Sequence, residues 1–234
     1  MLKKSIHKKV RNIMSSLPVV SYSKFSIGDI KYSEPRLNAN KGKTIYLNRA
    51  DGGKILVQIP KMRAPFGLAS YEDEGKPSTY RLILSVEDDG FKTFLNELDN
   101  AIVAKIAENS EYYLGKTMNE TVIREALYTH VLKPSSDPKY APGLNLKVLR
   151  NSDGSFVSPC YDTNRQPFDI EKLEKGQNVT AIINIASIWV IGTKFGVSVR
   201  LEQLRVTPSQ KLASYAFIDD EEEVSAEFLS EDEM

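Results

Sequence analysis

Few residues of this chain have the types and spacing that covalent chemistry requires. There are two histidines, His7 and His130, and one cysteine, Cys160. That set is too small for a zinc site of the usual ligand count. A Cys160–His130 pair could make a nucleophile, but a buried, idle cysteine is the simpler reading. Glu87-Asp88-Asp89 could hold a metal, yet acids just ahead of an apolar-periodic run read more simply as a helix start. No phosphate-cradling glycine motif and no nucleophile elbow is present. The expectation is therefore no enzyme, no cofactor and no metal. A second kind of chemistry is better represented, in cations placed beside aromatics. Lys61, Arg63, Phe66, Tyr71, Tyr80 and Arg81 fall close together, and Trp189, the only tryptophan, precedes Lys194 and Arg200. Cations of this kind suit phosphates, and aromatic faces can stack on bases. The bland alternative is that Phe66 and Tyr80 fill a core and the cations are merely solvated.

The charge distribution points the same way. The chain has 31 basic and 31 acidic residues, but nine of the acids lie between Asp219 and Met234, where no base occurs. They are Asp219, Asp220, Glu221, Glu222, Glu223, Glu227, Glu231, Asp232 and Glu233. The remainder carries 31 bases against 22 acids, a charge of +9. A basic body with an acidic tail suggests a polyanionic partner and an internal competitor for it. A solvated, solubilising tail is the plainer alternative. A lone cysteine precludes an intrachain disulfide and fits a reducing, intracellular setting. No apolar run approaches the roughly 20 residues of a membrane helix, so no membrane association is expected. The basic start lacks the long apolar segment of a secretory signal.

The elements that must position these side chains are mostly strands. Asn178–Ile191 and Phe195–Val206 are apolar, β-branched runs separated by Gly192-Thr193-Lys194, a hairpin signal. In the second run Phe195, Val197, Val199 and Leu201 alternate with Gly196, Ser198, Arg200 and Glu202. That pattern gives one core face and one wet face. The first run is apolar on both faces, as in a central or covered strand. Thr44–Arg49 and Lys54–Ile59 read as a strand pair around Asp51-Gly52-Gly53. Tyr46, Arg49, Lys54 and Lys61 make it a second basic element bearing an aromatic. Pro60 and Pro65 should make Lys61–Phe66 extended. Thr79–Val86, Asn145–Arg150 and Ser155–Tyr161 read as further strands, the last two around Ser152-Asp153-Gly154. No helix signal occurs between Leu17 and Arg63. Phe91–Asn109 is a helix by its stripe of Phe91, Phe94, Leu95, Leu98, Ile102, Ile106 and Ala107. Asn119–Val131, with His130 inside it, reads as a second helix. Ser135–Gly143 and Asp162–Gly176 are loops, the latter with a helical turn. Residues 1–16 form a basic arm, loose or briefly amphipathic, that could touch phosphates or serve as a localisation patch. Residues 17–218 form one domain, and 219–234 an acidic tail too charged to pack.

The order of these elements resembles the OB-fold single-stranded DNA-binding proteins of phages and large DNA viruses. Asn151-Ser152-Asp153-Gly154 followed by Cys160-Tyr161 resembles that family's turn and Cys-Tyr strand. Trp189, then Phe195 to Leu201, resembles its aromatic strand, turn and Gly-x-Ser-Val-basic-Leu strand. Lys61 to Leu68 resembles the large-DNA-virus branch, and acids with Phe228 and Leu229 resemble its tail. The resemblance spans residues 40–234. The basic arm and the Glu-Asp-Glu-Met end differ from the family pattern.

The resemblance implies a mainly β fold. It would be an OB-fold-like barrel with one or two helices packed on it and a disordered acidic tail. It implies sequence-independent binding that coats and protects single-stranded DNA during viral DNA replication, recombination or repair. Trp189 and Tyr161 fall where the family stacks bases. Lys54, Lys61, Arg63, Arg81, Lys194 and Arg200 become phosphate candidates, with Phe66 and Tyr80 as further contacts. Asp219 to Glu223, with Phe228 and Leu229, would compete for the groove and recruit a DNA polymerase, helicase or primase. A homodimer is compatible with this, as is an intracellular viral replication compartment. The alternative is a virion or assembly protein with a β-sandwich fold.

Overall fold

The computed structural model describes residues 18–39, 41–72, 75 and 77–208. The expected arm of residues 1–16 and the whole acidic tail, including Asp219, Asp220, Glu221, Glu222, Glu223, Phe228 and Leu229, lie outside the described residues.

The strands used below are β1 (Lys43–Asn48), β2 (Leu56–Gln58), β3 (Met62–Ala64), β4 (Leu68–Tyr71) and β5 (Thr79–Ser85). After helices α1 (Asp89–Glu108), α2 (Ser110–Leu114) and α3 (Glu120–Val122) come β6 (Tyr128–Thr129), β7 (Leu132–Lys133) and β8 (Gly143–Val148). The chain ends in β9 (Cys160–Tyr161), β10 (Gln177–Ile191) and β11 (Lys194–Val206).

Five of these strands close a ring. β10 pairs with β3, β3 with β5, β5 with β8, β8 with β11, and β11 returns to β10. Every pairing in the ring is antiparallel except β8 with β11, which is parallel. A closed, five-stranded barrel joined in this order is the OB-fold arrangement. The protein is thus mainly β with added helices, and ring closure sets aside the β-sandwich alternative.

The barrel is built around the long hairpin. Gly192, at φ 61°, and Thr193 make a two-residue turn, because Ile191 pairs directly with Lys194. β10 and β11 are far longer than the other strands, and two register shifts bend them around the ring. Ala186 on β10 and Glu202 on β11 are the extra residues at those bulges. β1 and β2 pair with successive stretches of the same β10 edge. The expected strand pair around Asp51-Gly52-Gly53 is therefore corrected. Only Asn48 and Lys54 bridge one another, and the turn carries the chain along β10 instead. The long edge of β10 offers more ladder bonds than the two short strands offer each other.

The barrel interior is apolar and closed. Ile45, Leu47, Val57, Leu82, Leu84, Leu144, Leu146, Ile183, Ile185, Ile188, Phe195 and Leu204 belong to one buried cluster. α1 lies in the chain between β5 and β8 and joins the same cluster. Asp88 caps it by accepting from the Phe91 amide at 2.7 Å. Its buried face carries Phe91, Phe94, Leu95, Leu98, Ile102, Val103 and Ile106, and also one acid, Asp99.

Three other expectations are corrected. Helical structure from Asn119 ends at Leu127, and Tyr128–Thr129 leaves it to pair in parallel with Phe195–Gly196. His130 is therefore at a strand end, not in a helix. The aromatic and β-branched residues of Tyr128-Thr129-His130-Val131 suit that ladder better than a helix. The expected strand Ser155–Tyr161 shrinks to Cys160–Tyr161, since Pro159 ahead of it has no amide to donate. The stretch before Arg63 contains two single 3-10 turns, Tyr22–Lys24 and Ile27–Asp29, where no helix signal was legible.

Candidate nucleic-acid interface

Outside the barrel, three adjacent strands present cations to one another. Arg81 on β5 lies opposite Lys147 on β8, and Lys147 lies opposite Arg200 on β11. Their neighbours Leu82, Leu146 and Leu201 are buried, so alternation turns these three side chains to the outer face. None of the three makes an ion pair within the described residues. The row continues on β10 with Asn184, opposite Arg200. Asn184 Oδ1 and Arg200 Nε are both buried and without hydrogen-bond partners. Like charges set directly opposite each other across a sheet destabilise it. A row of three held together has a physical rationale when an anion neutralises it.

A cleft of about 460 Å³ opens beside this row. Thr79, Tyr80, Arg81, Thr129, His130, Lys133, Asn145, Lys147, Trp189 and Ser198 line it. Trp189 is half-buried on β10, and its partner on β11 is Gly196. The indole lies so close that a Cβ on Gly196 would stand 2.8 Å from Trp189 Cζ2 and 3.0 Å from the Thr129 carbonyl oxygen. The missing side chain at Gly196 leaves the room that the ring occupies. Further along the same face Tyr46 is 40% exposed, with the Arg36 guanidinium 5.5 Å from its ring centre. The Arg81 guanidinium stands 5.1 Å from the Tyr71 ring.

A buried acid braces the cleft wall from below. Asp99 of α1 is 2% exposed. It accepts from the Tyr128 hydroxyl at 2.7 Å and the Val131 amide at 3.3 Å, and it meets His130 Nδ1 at 3.0 Å. Burial, then the Asp99 charge and hydrogen bond, push the Tyr128 phenol above its ordinary range, so it stays a donor.

Of the residues expected to touch a ligand, Trp189, Tyr80 and Arg81 meet in this cleft and Arg200 stands in the adjoining row. Tyr80 is partly committed: its ring meets Phe156 edge-on at 5.1 Å, and its hydroxyl accepts from Arg150 at 2.6 Å. Lys54 is paired with Glu202 at 3.1 Å. Arg63 lies opposite Ser85 and Asn178, away from Arg81, with its guanidinium against Gly176. Phe66 is 59% exposed on the turn between β3 and β4. Lys61 is exposed before β3, and Lys194 is exposed at the hairpin tip. Tyr161 lines a different cleft, with Phe156, Cys160 and Phe168. Lys147, Lys133, Asn145 and His130 were not singled out as ligand contacts by sequence. For Lys147 a signal existed: it alternates with buried Leu144, Leu146 and Val148.

The sequence matches one family model over residues 77–219, more than half of the chain, and that model describes a family of unknown function, DUF5871. The chain belongs to the DUF5871 family. The matched stretch runs from the start of β5 past the end of β11, so it contains Arg81, Lys147, Trp189 and Arg200. No curated protein matches this DUF5871 chain. Among solved structures it is similar to a single-stranded DNA-binding protein, gp2.5, encoded by bacteriophage T7. The TM-score is 0.45 at 9% identity, over 70% of this chain and 98% of that one. It is also similar to the single-stranded DNA-binding protein from bacteriophage Enc34 in complex with ssDNA. There the TM-score is 0.41 at 11% identity, over 77% of this chain and 97% of that one. Among the described residues no helix is long and apolar enough to cross a membrane.

Proposed function

We propose that this chain binds single-stranded DNA without regard to sequence, along the outer face of β5, β8, β11 and β10. The observation that carries this reading is the cation row Arg81, Lys147 and Arg200, in register on three strands and unpaired with acid among the described residues. Phosphates would follow that row. Bases would stack on Trp189, and on Tyr46 further along, each stack worth about 1–3 kcal/mol and tolerant of base identity. The chain is then a binding protein rather than an enzyme. It would coat and protect single strands in viral DNA replication, recombination or repair, as the sequence resemblance implies. The acidic segment from Asp219 would compete for the same face, and with Phe228 and Leu229 it would recruit polymerase, helicase or primase.

The test is a titration of the single tryptophan's fluorescence with single-stranded and duplex oligonucleotides at several salt concentrations, with gel shifts on the same samples. Quenching by the single strand alone, weakened by salt, is expected. Lys147→Ala and Arg200→Ala should each lower the slope of log affinity against log salt by about 0.7, the share of one phosphate contact on a single strand. A chain that neither shifts nor quenches, with residues 219–234 removed as well, overturns the proposal.

A further inference from the structure

His130 stands apart from every other group in the cleft. It is the one histidine among the described residues. Its side chain is 52% exposed and lines the cleft, while Nδ1 is held at 3.0 Å by a carboxylate that is 3% exposed. Asp99 does not need His130 for its own satisfaction, since the Tyr128 hydroxyl and the Val131 amide already donate to it. A carboxylate so placed is an acceptor, so the group facing it must donate, which puts a hydrogen on Nδ1. The ring is thereby fixed in tautomer and in orientation, and its Nε2 edge is left to the cleft. A neutral imidazole held this way offers only a lone pair at Nε2. A protonated one offers a second N–H and a positive charge.

The surroundings decide which form a ligand selects. Asp99 from α1 faces Nδ1. The charged groups lining the same cleft are Arg81 from β5, Lys133 from β7 and Lys147 from β8. Tyr128 of β6 meets the imidazole edge-on at 5.2 Å and stays neutral. An anion laid among these groups meets their charge, and at Nε2 it meets a donor only when the ring carries both hydrogens. We infer that His130, positioned by the buried Asp99, is a phosphate contact of the groove whose Nε2–H engages the strand backbone only after one proton is taken up. The inference rests on the groove reading above and deepens it. It adds a contact that bonds to the strand on condition of a proton, where Arg81, Lys147 and Arg200 need none.

The experiment measures affinity of the full chain for a short homopolymeric single strand between pH 6 and pH 8 at constant ionic strength. Wild type, His130→Ala, His7→Ala and Asp99→Asn are compared, with thermal melts of each. Binding by wild type and by His7→Ala should tighten about tenfold as pH falls across this range, the order expected for one imidazole proton. His130→Ala should bind with no such pH dependence and melt as wild type does, because the ring is half exposed. Asp99→Asn, where it melts as a folded protein, should reduce the tightening, because the ring loses the carboxylate that fixes Nδ1–H. A flat wild-type profile overturns the inference, as does a profile that survives in His130→Ala. A loss in His130→Ala that is equal at all pH values also overturns it, in favour of a base-edge contact. If wild type binds no single strand at any pH, the groove reading itself has failed. If it binds with the Lys147 salt dependence but without proton uptake, only the His130 contact has failed.

Discussion

β11 carries a cleft towards each of its ends, and the two differ in what they can hold. The first, beside Trp189 and Val197 to Val199, is lined by Arg81, Lys133 and Lys147. The second, about 320 Å³ where β9 pairs with Leu204 and Arg205, is lined by Phe156, Pro159, Cys160, Tyr161, Phe168 and Ile170, with Asp169 as its only charge. Burial first, and then Asp169, push the Cys160 thiol up to about 12. No cation lines this pocket, although Arg205 stands opposite Tyr161 across the β9–β11 pairing. The family resemblance places both Tyr161 and Trp189 where bases stack. The barrel puts them towards opposite ends of β11, Trp189 in a cleft lined by three cations and Tyr161 in a mostly apolar one with Arg205 as its cross-strand neighbour. On the proposed reading, a DNA strand backbone would follow the cleft that carries the three cations.

The sharpest way to break this contrast is to remove each aromatic in turn. Trp189→Ala should weaken single-strand binding by about 1–3 kcal/mol, roughly fivefold to more than a hundredfold, with the melting temperature little changed. Tyr161→Ala should leave affinity within about twofold and lower stability instead, by the order of 1 kcal/mol that a half-buried side chain contributes. Filter binding and thermal melts of both variants decide the matter. If Tyr161→Ala lost binding with its fold intact, the two clefts would have to be regarded as one extended path.

How much of this was legible in the sequence follows from the range of the interactions involved. The β10–β11 hairpin and α1 were legible because their signals are local: a glycine turn between alternating runs, and an apolar stripe behind an acidic cap. Asp99 was legible in principle, since it falls on the same helical stripe as Leu95, Ile102 and Ile106, where an acid should not sit unpaired. Arg81 and Arg200 were legible as candidate cations, but the row they form with Lys147 was not. Arg81, Lys147 and Arg200 are brought into register by one antiparallel and one parallel pairing between distant segments, and no local pattern specifies that register. Lys54 shows the converse. It reads like any other strand cation, and only the fold reveals Glu202 against it.

A smaller effect tests the seat of the indole. Gly196→Ala would put a methyl within van der Waals overlap of Trp189 Cζ2 and of a backbone carbonyl that cannot move aside. Loss of about 1–3 kcal/mol of stability is expected from the overpacking. The indole, lifted off the sheet, should also show altered emission before any ligand is added. Gly192→Ala alters a turn where nothing stands within 4 Å, so it should leave the emission unchanged although its positive φ costs some stability. Equal emission from both variants would mean that Gly196 does not seat the ring.

The smallest effect expected concerns the end of the cation row. Glu202 accepts from Lys54 Nζ at 3.1 Å and from Asn184 Nδ2 at 3.0 Å, while Asn184 lies opposite Arg200. One acid thus holds a cation that would otherwise extend the row beyond Arg200. Glu202→Gln keeps the oxygen that Asn184 donates to and removes the charge. The half-exposed ion pair is worth only about 0.2–1 kcal/mol to the fold, so the melting temperature should fall slightly or not at all. Lys54, released, should then join the phosphate path, tightening single-strand binding by about twofold to fivefold at low salt. The slope of log affinity against log salt should steepen by about 0.7. The double variant Lys54→Ala, Glu202→Gln should return the slope to the wild-type value. A steeper slope that persists without Lys54 would mean that the gain came from removing repulsion at Glu202, and the row would end at Arg200.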